Sequence, residues 1–166
     1  MPEEIFDIVD AQDQVIGQAT RSEVHAQNLL HRAVNVFLFN SAGEILVQLR
    51  SATKDQYPGC FTSSVSGHLD AGETYAKAAT REMQEEVGLT AKLEFVEKFT
   101  GNADNAYEHT VLYKAVTDET PVCDPDEIAD AHFLQPQELI NQIADSPDQF
   151  TPPFRLLFQW YFEKFL

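Results

Sequence analysis

Apolar and polar residues alternate over residues 5–9 and again over 15–19, with Asp10-Ala11-Gln12-Asp13-Gln14 between them; this pattern predicts a β-hairpin. Residues 21–30 form a polar connection with partial helical character. Two apolar runs, 33–39 and 44–50, flank the turn Asn40-Ser41-Ala42-Gly43 and predict a second hairpin. Tyr57-Pro58-Gly59 reads as a turn, and residues 61–66 as an extended segment. Strands are expected at 92–100 and 107–116, joined by a polar loop over 101–106. A looser stretch around Pro121 and Pro125 leads to a short strand at 131–134. Residues 136–144 predict a helix, and Thr151-Pro152-Pro153 opens another, with proline in its first turn.

Between the two halves lies the best-defined helix. It starts near Glu73-Thr74, after the Asp70-Ala71-Gly72 turn, and runs to Val87, where Gly88 stops it. Ala76, Ala79, Met83 and Val87 share one stripe at helical spacing, the expected core face. The last helix carries Phe154, Leu157, Phe158, Trp160, Tyr161, Phe162 and Phe165, apolar nearly all round. Core packing is its first expectation, ahead of a substrate-pocket wall or a dimer contact. With no repeat, low-complexity segment or linker, the pattern gives a single α/β domain over residues 1–166. A mixed sheet lies between helices, as in an α/β/α sandwich.

Charge narrows the function. The formal net charge of −16 argues against nucleic-acid and anionic-membrane partners, which need a basic surface. Cys60 and Cys123 give neither a disulfide framework nor zinc spacing. No apolar run is long enough to span a bilayer, and the acidic start does not suit a signal peptide, so the cytoplasm is the expected location. A monomer or a homodimer fits equally.

The chemistry concentrates on the central helix. Glu82, Glu85 and Glu86 stand at i, i+3 and i+4 and share a face away from the core stripe. Gathered like charges repel, and a cation between them reverses the sign. Oxygen ligands without His or Cys suit Mg²⁺ or Mn²⁺ rather than Zn²⁺. Arg50 and Lys54, four apart after a strand, suit a phosphate chain.

The run from Gly67 to Leu89 carries a glycine, then Glu73, then Arg81-Glu82, an apolar residue, Glu85-Glu86, Gly88 and a final apolar residue. It resembles the Nudix box, G-x5-E-x7-R-E-U-x-E-E-x-G-U with U apolar, at every position. The resemblance implies a metal-dependent hydrolase that cuts a diphosphate linkage in a small molecule. Glu82, Glu85, Glu86 and the backbone carbonyl of Ser66 or Gly67 would hold Mg²⁺ or Mn²⁺. Glu73 and Arg81 would form an ion pair that holds the loop before the helix. Glu127 precedes the last strand by the spacing at which many such enzymes carry a further glutamate. It is the first candidate for general base, with Glu82 and Glu108 as alternatives, so the catalytic set is Glu82, Glu86 and Glu127.

Similarity to one branch extends further. FDIVD-x4-VIG, VHAQNLLHRAVNVFLFNSAGEILVQLRSATK, YPGCFTSSVSGH and FTPPFRLLFQWYFEKF all resemble isopentenyl-diphosphate isomerases, which share the fold but leave the diphosphate intact. By that resemblance Arg50 and Lys54 hold the diphosphate. His25, His31 and His68, with Glu108, mark a candidate second metal site. The isomerase's reactive cysteine, immediately before Gly67-His68, is Ser66 here, and a serine hydroxyl is far less acidic than a thiol. The leading expectation is therefore the hydrolase. The isomerase is the alternative, and a binding module without turnover is a third reading.

Overall fold

The computed structural model describes residues 3–166. β1 (Ile5–Val9) and β2 (Val15–Thr20) pair antiparallel, as the alternation predicts, with a bulge between Ile8 and Val9. The hairpin turns Phe6 and Val9 inward and leaves Val15 and Ile16 exposed. The polar connection that follows is a formed helix, α1 (Arg21–Gln27). Thr20 caps it by accepting from the Glu23 N–H, and the Glu23 carboxylate accepts from the Thr20 N–H. Asn28, in the left-handed conformation, closes it after seven residues, too short a span for hydrophobic periodicity to show.

The main sheet has seven strands: β3 (His31–Phe39), β4 (Ile45–Arg50), β5 (Phe61–Thr62), β6 (Val65–His68), β7 (Glu94–Phe99), β8 (Glu108–Val116) and β9 (Ile128–Leu134). Its order is β5-β4-β3-β8-β7, with β6 also on β3 and β9 also on β4. β3 and β8 run parallel and the other pairs antiparallel, so the sheet is mixed. α2 (Tyr75–Val87) covers one face through Ala78, Ala79, Met83 and Val87, packed with Val34, Val36, Leu38 and Leu46. α3 (Pro136–Asp145) and α4 (Pro152–Phe165) cover the other. There Phe154, Leu157, Phe158 and Tyr161 pack on Phe37, Ile45, Val47 and Leu112. The expected α/β/α sandwich is what forms, and the last helix is chiefly core. Among the described residues, no helix is long and apolar enough to cross a membrane.

Three local expectations change. The stripe on α2 uses Ala78 rather than Ala76, which is exposed. The short strand expected at 131–134 begins earlier, at Ile128, and pairs with β4; the exposed side chains of Ala129, Asp130 and His132 give little periodic signal. The largest change concerns the second hairpin. Its turn forms, but β3 and β4 share only the pair Phe39–Ile45 and then separate. Between them the predicted extended segment is a V: β5 runs along β4, breaks at the fully buried Ser63-Ser64, and β6 returns along β3. The Ser64 hydroxyl sits at the fork, accepting from the Leu38 N–H at 2.9 Å and donating to the Leu46 carbonyl at 2.5 Å. One side chain thus satisfies a backbone group on each diverging strand, which would otherwise be buried unpaired.

Candidate active site

α2 starts where Thr74 accepts from the Lys77 N–H and ends at Gly88, whose φ of 65° is left-handed. Along it, Glu82 and Glu86 continue the inward side of the helix, while Glu85 points outward and is exposed. The shared carboxylate face expected from spacing is therefore graded. Glu86 is only 7% exposed, Glu82 is half-buried, and Glu85 lies at the rim.

The close approach of the preceding strand sets the position of Glu82. A methyl built on Gly67 would lie 2.4 Å from Glu82 Cδ and 2.7 Å from its Oε1. Only a residue without a Cβ leaves room for that carboxyl. Arg81 clamps the other side. Its guanidinium donates to both Glu73 oxygens at 2.7 and 2.8 Å, to Glu82 at 2.7 Å, to Glu85 at 3.2 Å and to the His68 carbonyl at 3.2 Å. The Glu73 bonds, helped by Glu82, raise the Arg81 pKa despite partial burial. The fork ties the loop before α2 to the helix by a bidentate pair.

Glu86 carries the sharpest electrostatic signal. Its Oε1 accepts from Gln48 Nε2 at 2.7 Å, while its Oε2 is buried with no hydrogen-bond partner among the described residues. Burial, then the neighbouring Glu82 carboxylate, pushes the Glu86 pKa well above the ordinary carboxylate range. Burial also raises Glu82, against its interaction with the neighbouring Glu86 carboxyl and the pull of Arg81. Two facing carboxyls with one oxygen unsatisfied make a donor set that fits a hard divalent cation.

These groups line a cleft of about 920 Å³, which also takes in Ser66, His68, Glu108, Arg50, Lys54 and Glu127. Arg50, at the end of β4, is braced by its Nε donating to the Gln56 carbonyl at 3.0 Å. The turn at Tyr57-Pro58-Gly59 holds its backbone, with Gly59 N–H donating to the Arg50 carbonyl at 3.2 Å. Burial lowers the Arg50 pKa, against the pull of Glu86, Asp55 and Glu127. Lys54 forms an ion pair with Glu127. Glu127 reaches the cleft because its loop is pinned to the end of α2, where the Val122 N–H donates to the Val87 carbonyl and the Asp124 N–H to the Glu86 carbonyl. Asp124 and Asp126 line the cleft as well. Sequence analysis missed both, although Asp124-Pro125-Asp126-Glu127 is an acidic run beside a candidate base. A smaller cavity of about 380 Å³, bounded by Thr117, Cys123 and Phe133, holds none of the predicted site residues.

The histidines expected from resemblance come together. One ring nitrogen from each of His25, His31 and His68 lies within 4.8 Å of the others. The β3–β6 register sets Ala33 opposite His68, and the β3–β8 register sets His31 opposite Glu108. His68 Nε2 lies 3.1 Å from Glu108 Oε2. His31 Nδ1 bonds the Leu29 carbonyl at 2.8 Å, while its Nε2 is buried without a partner. Burial lowers the His31 pKa to about 4. Burial works to raise Glu108, but the three imidazoles, His68 foremost, prevail and lower it. Phe6, not foreseen, stacks on His31 with ring centroids 5.8 Å apart and backs the cluster. His109 is structural: its ring accepts from the Gly101 N–H at 2.9 Å and meets the Asp10 carbonyl at 2.8 Å.

The NUDIX domain model matches residues 29–155. An isopentenyl-diphosphate Delta-isomerase of Serratia proteamaculans is 35% identical over 156 residues, covering 90% of this chain and 86% of that one. An uncharacterized Nudix hydrolase of Nostoc sp. is 36% identical over 141 residues, covering 82% of this chain and 83% of that one. Among solved structures, the Deinococcus radiodurans protein DR0079 is similar with a TM-score of 0.85 at 28% identity, over 95% of this chain and 98% of that one. A MutT protein from Methanosarcina mazei shares the fold, with a TM-score of 0.68 at 15% identity over 80% of this chain and 92% of that one.

Proposed function

The chain belongs to the Nudix family, and from that membership and the cleft just described we propose a divalent-metal-dependent hydrolase that cuts a diphosphate linkage in a small molecule. The observation that carries the reading is the Glu82–Glu86 pair, with its unsatisfied oxygen, in one cleft with Arg50 and Lys54. Glu82, Glu85, Glu86 and the Gly67 carbonyl would hold Mg²⁺ or Mn²⁺. A metal bound there polarises phosphoryl oxygens and lowers the pKa of the attacking water.

The protein's own groups do the rest. Arg50 presents a planar fork to the diphosphate, and Lys54 a point charge. Glu127 takes the water's proton as general base; its ion pair with Lys54 holds its carboxylate beside the diphosphate site. Arg81 keeps Glu82 in place and does not touch substrate.

A second reading has its own support. Several relatives are named isopentenyl-diphosphate isomerases, and the His25/His31/His68 cluster beside Glu108 suits a metal. Against it stands Ser66, where that chemistry needs a thiol. Incubation with Mg²⁺ and a panel of nucleoside, sugar and prenyl diphosphates, followed by ³¹P NMR, separates the two. The hydrolase reading expects Mg²⁺-dependent cleavage of a diphosphate, seen as new phosphomonoester or phosphate signals, that is lost in Glu86→Gln. Deuterium entering the allylic positions of isopentenyl diphosphate in D₂O, with the phosphates intact throughout the panel, would promote the isomerase.

A further inference from the structure

Asn35 sits in the middle of β3, opposite Ser66 on β6 and Leu112 on β8. Its neighbours along the strand, Val34, Val36, Phe37 and Leu38, are fully buried and apolar. Asn35 is itself 9% exposed, and what remains exposed lines the cleft. A carboxamide offers two donors and an acceptor with two lone pairs. Among the described residues the Asn35 side chain makes no hydrogen bond, and its polar atoms are not sealed off but open to the cleft. A carboxamide set among buried apolar neighbours, with no protein partner and its polar atoms facing the cleft, is placed to bond a ligand there.

The surroundings say what kind. Across the strand pair stands Ser66, and deeper in the cleft the buried Thr62 and Thr151 hydroxyls meet at 3.1 Å. Tyr57 is the one Phe, Tyr or Trp on the cleft among the described residues, and it lies at the rim, 41% exposed. An isoprenoid chain laid on this floor would strip the carboxamide of water and return nothing. A sugar or polyol brings hydroxyls that both donate and accept. Building on the hydrolase reading above, we infer that Asn35 is a specificity-determining residue that hydrogen-bonds a hydroxyl-bearing group attached to the diphosphate and selects it over a prenyl chain.

The test uses four diphosphates: ADP-ribose and UDP-glucose, whose diphosphate bridges two groups, and dimethylallyl and geranyl diphosphate, whose diphosphate is terminal; the change in margin between wild type and variant cancels that difference. Wild type and Asn35→Leu are compared for Mg²⁺-dependent cleavage of the diphosphate, read by ³¹P NMR as two phosphomonoesters from the sugar-linked probes and as a monophosphate plus phosphate from the prenyl ones, and by calorimetry with Ca²⁺ in place of Mg²⁺ so that affinity is ranked without turnover. A site built to bond a hydroxyl discriminates strongly against an analogue lacking it, here by about 10²-fold in kcat/KM for the better sugar-linked probe over either prenyl probe. Asn35→Leu should remove most of that margin, lowering the sugar-linked probe by about 30-fold and leaving the prenyl probes level or improved. If the leucine variant does not fold, Asn35→Ala makes the same comparison. Prenyl probes ahead of both sugar-linked ones, or a margin unchanged in the variant, would overturn the assignment. Cleavage of no probe would end the hydrolase reading alone. The calorimetric ranking then decides Asn35: a sugar-linked preference lost in the variant upholds it, while a prenyl preference or no binding of any probe overturns it.

Discussion

Replacing Gly67 with alanine separates the site's chemistry from the fold's stability. The new methyl would stand 2.4 Å from Glu82 Cδ, whereas non-bonded carbons settle at about 3.5 Å. The carboxyl must therefore retreat by about 1 Å, and it can, because it ends a flexible side chain. Gly67 has no left-handed φ, so alanine fits its backbone. Removing a glycine from such a position gains about 0.4–1 kcal/mol through the unfolded chain. Disturbing the partly exposed Arg81–Glu82 pair loses up to about 1 kcal/mol. The two nearly cancel, so unfolding by urea should move by less than about 1 kcal/mol. Activity should not be spared: a 1 Å misplacement at a reacting site costs about 10²-fold. The assays are kcat for Mg²⁺-dependent diphosphate cleavage, Mn²⁺ affinity by electron paramagnetic resonance, and the urea midpoint. Wild-type kcat with wild-type Mn²⁺ affinity would refute the reasoning, as would a loss of stability beyond about 3 kcal/mol, the range of a core defect.

In metal-free buffer Glu86→Gln should be more stable than wild type at pH 8, because it removes a buried charge. Because the folded pKa of Glu86 lies above its unfolded value, the charge is a cost that grows as pH rises; the advantage should fade toward pH 4, and urea midpoints across that range check it. His31 behaves oppositely: its folded pKa of about 4 lies below the ordinary 6.5, so stability of about 3 kcal/mol should be lost as pH falls from 6.5 to 4. That slope should flatten in His31→Phe, measured by the same unfolding curves. Lys54→Ala should raise KM with a smaller change in kcat if its contacts to the diphosphate are equal in ground and transition states; unchanged steady-state kinetics would return Lys54 to the surface.

The central helix and its loop were legible because their signals are local. Thr74, Gly88 and the spaced acids fix α2 without help from elsewhere, and Arg81 meets Glu73 eight residues away. The same run could not show that Glu85 faces out while Glu86 is buried, since that depends on which side the sheet approaches. Alanines are too small to choose between Ala76 and Ala78 by periodicity. The hairpin signal at Asn40–Gly43 gave the turn and the antiparallel pairing beside it, but not how soon the two strands part. A β-turn dictates only its nearest pair, and β4, apolar on both faces, finds β9 and β5 as partners at long range. The His25/His31/His68 cluster was reached through resemblance alone, because strand register, not spacing, brings it together. Asn35 gave no signal at all: one polar residue inside an apolar run belongs to no motif.

The fork at Ser64 has a mechanical consequence. A continuous ladder between β3 and β4 would make one stiff plate, but below Phe39–Ile45 their edges part and take different partners. The strand carrying Arg50, with the loops bearing Lys54 and Glu127, therefore forms one jaw, and the strands carrying Asn35, Ser66 and His68 form the other, hinged where the Ser64 hydroxyl bridges them. A ligand gripped by both jaws becomes a crosslink across the gap. Amides at the hinge, Leu38 among them, should then exchange hydrogen more slowly once the cleft is filled, although no ligand atom lies beside them.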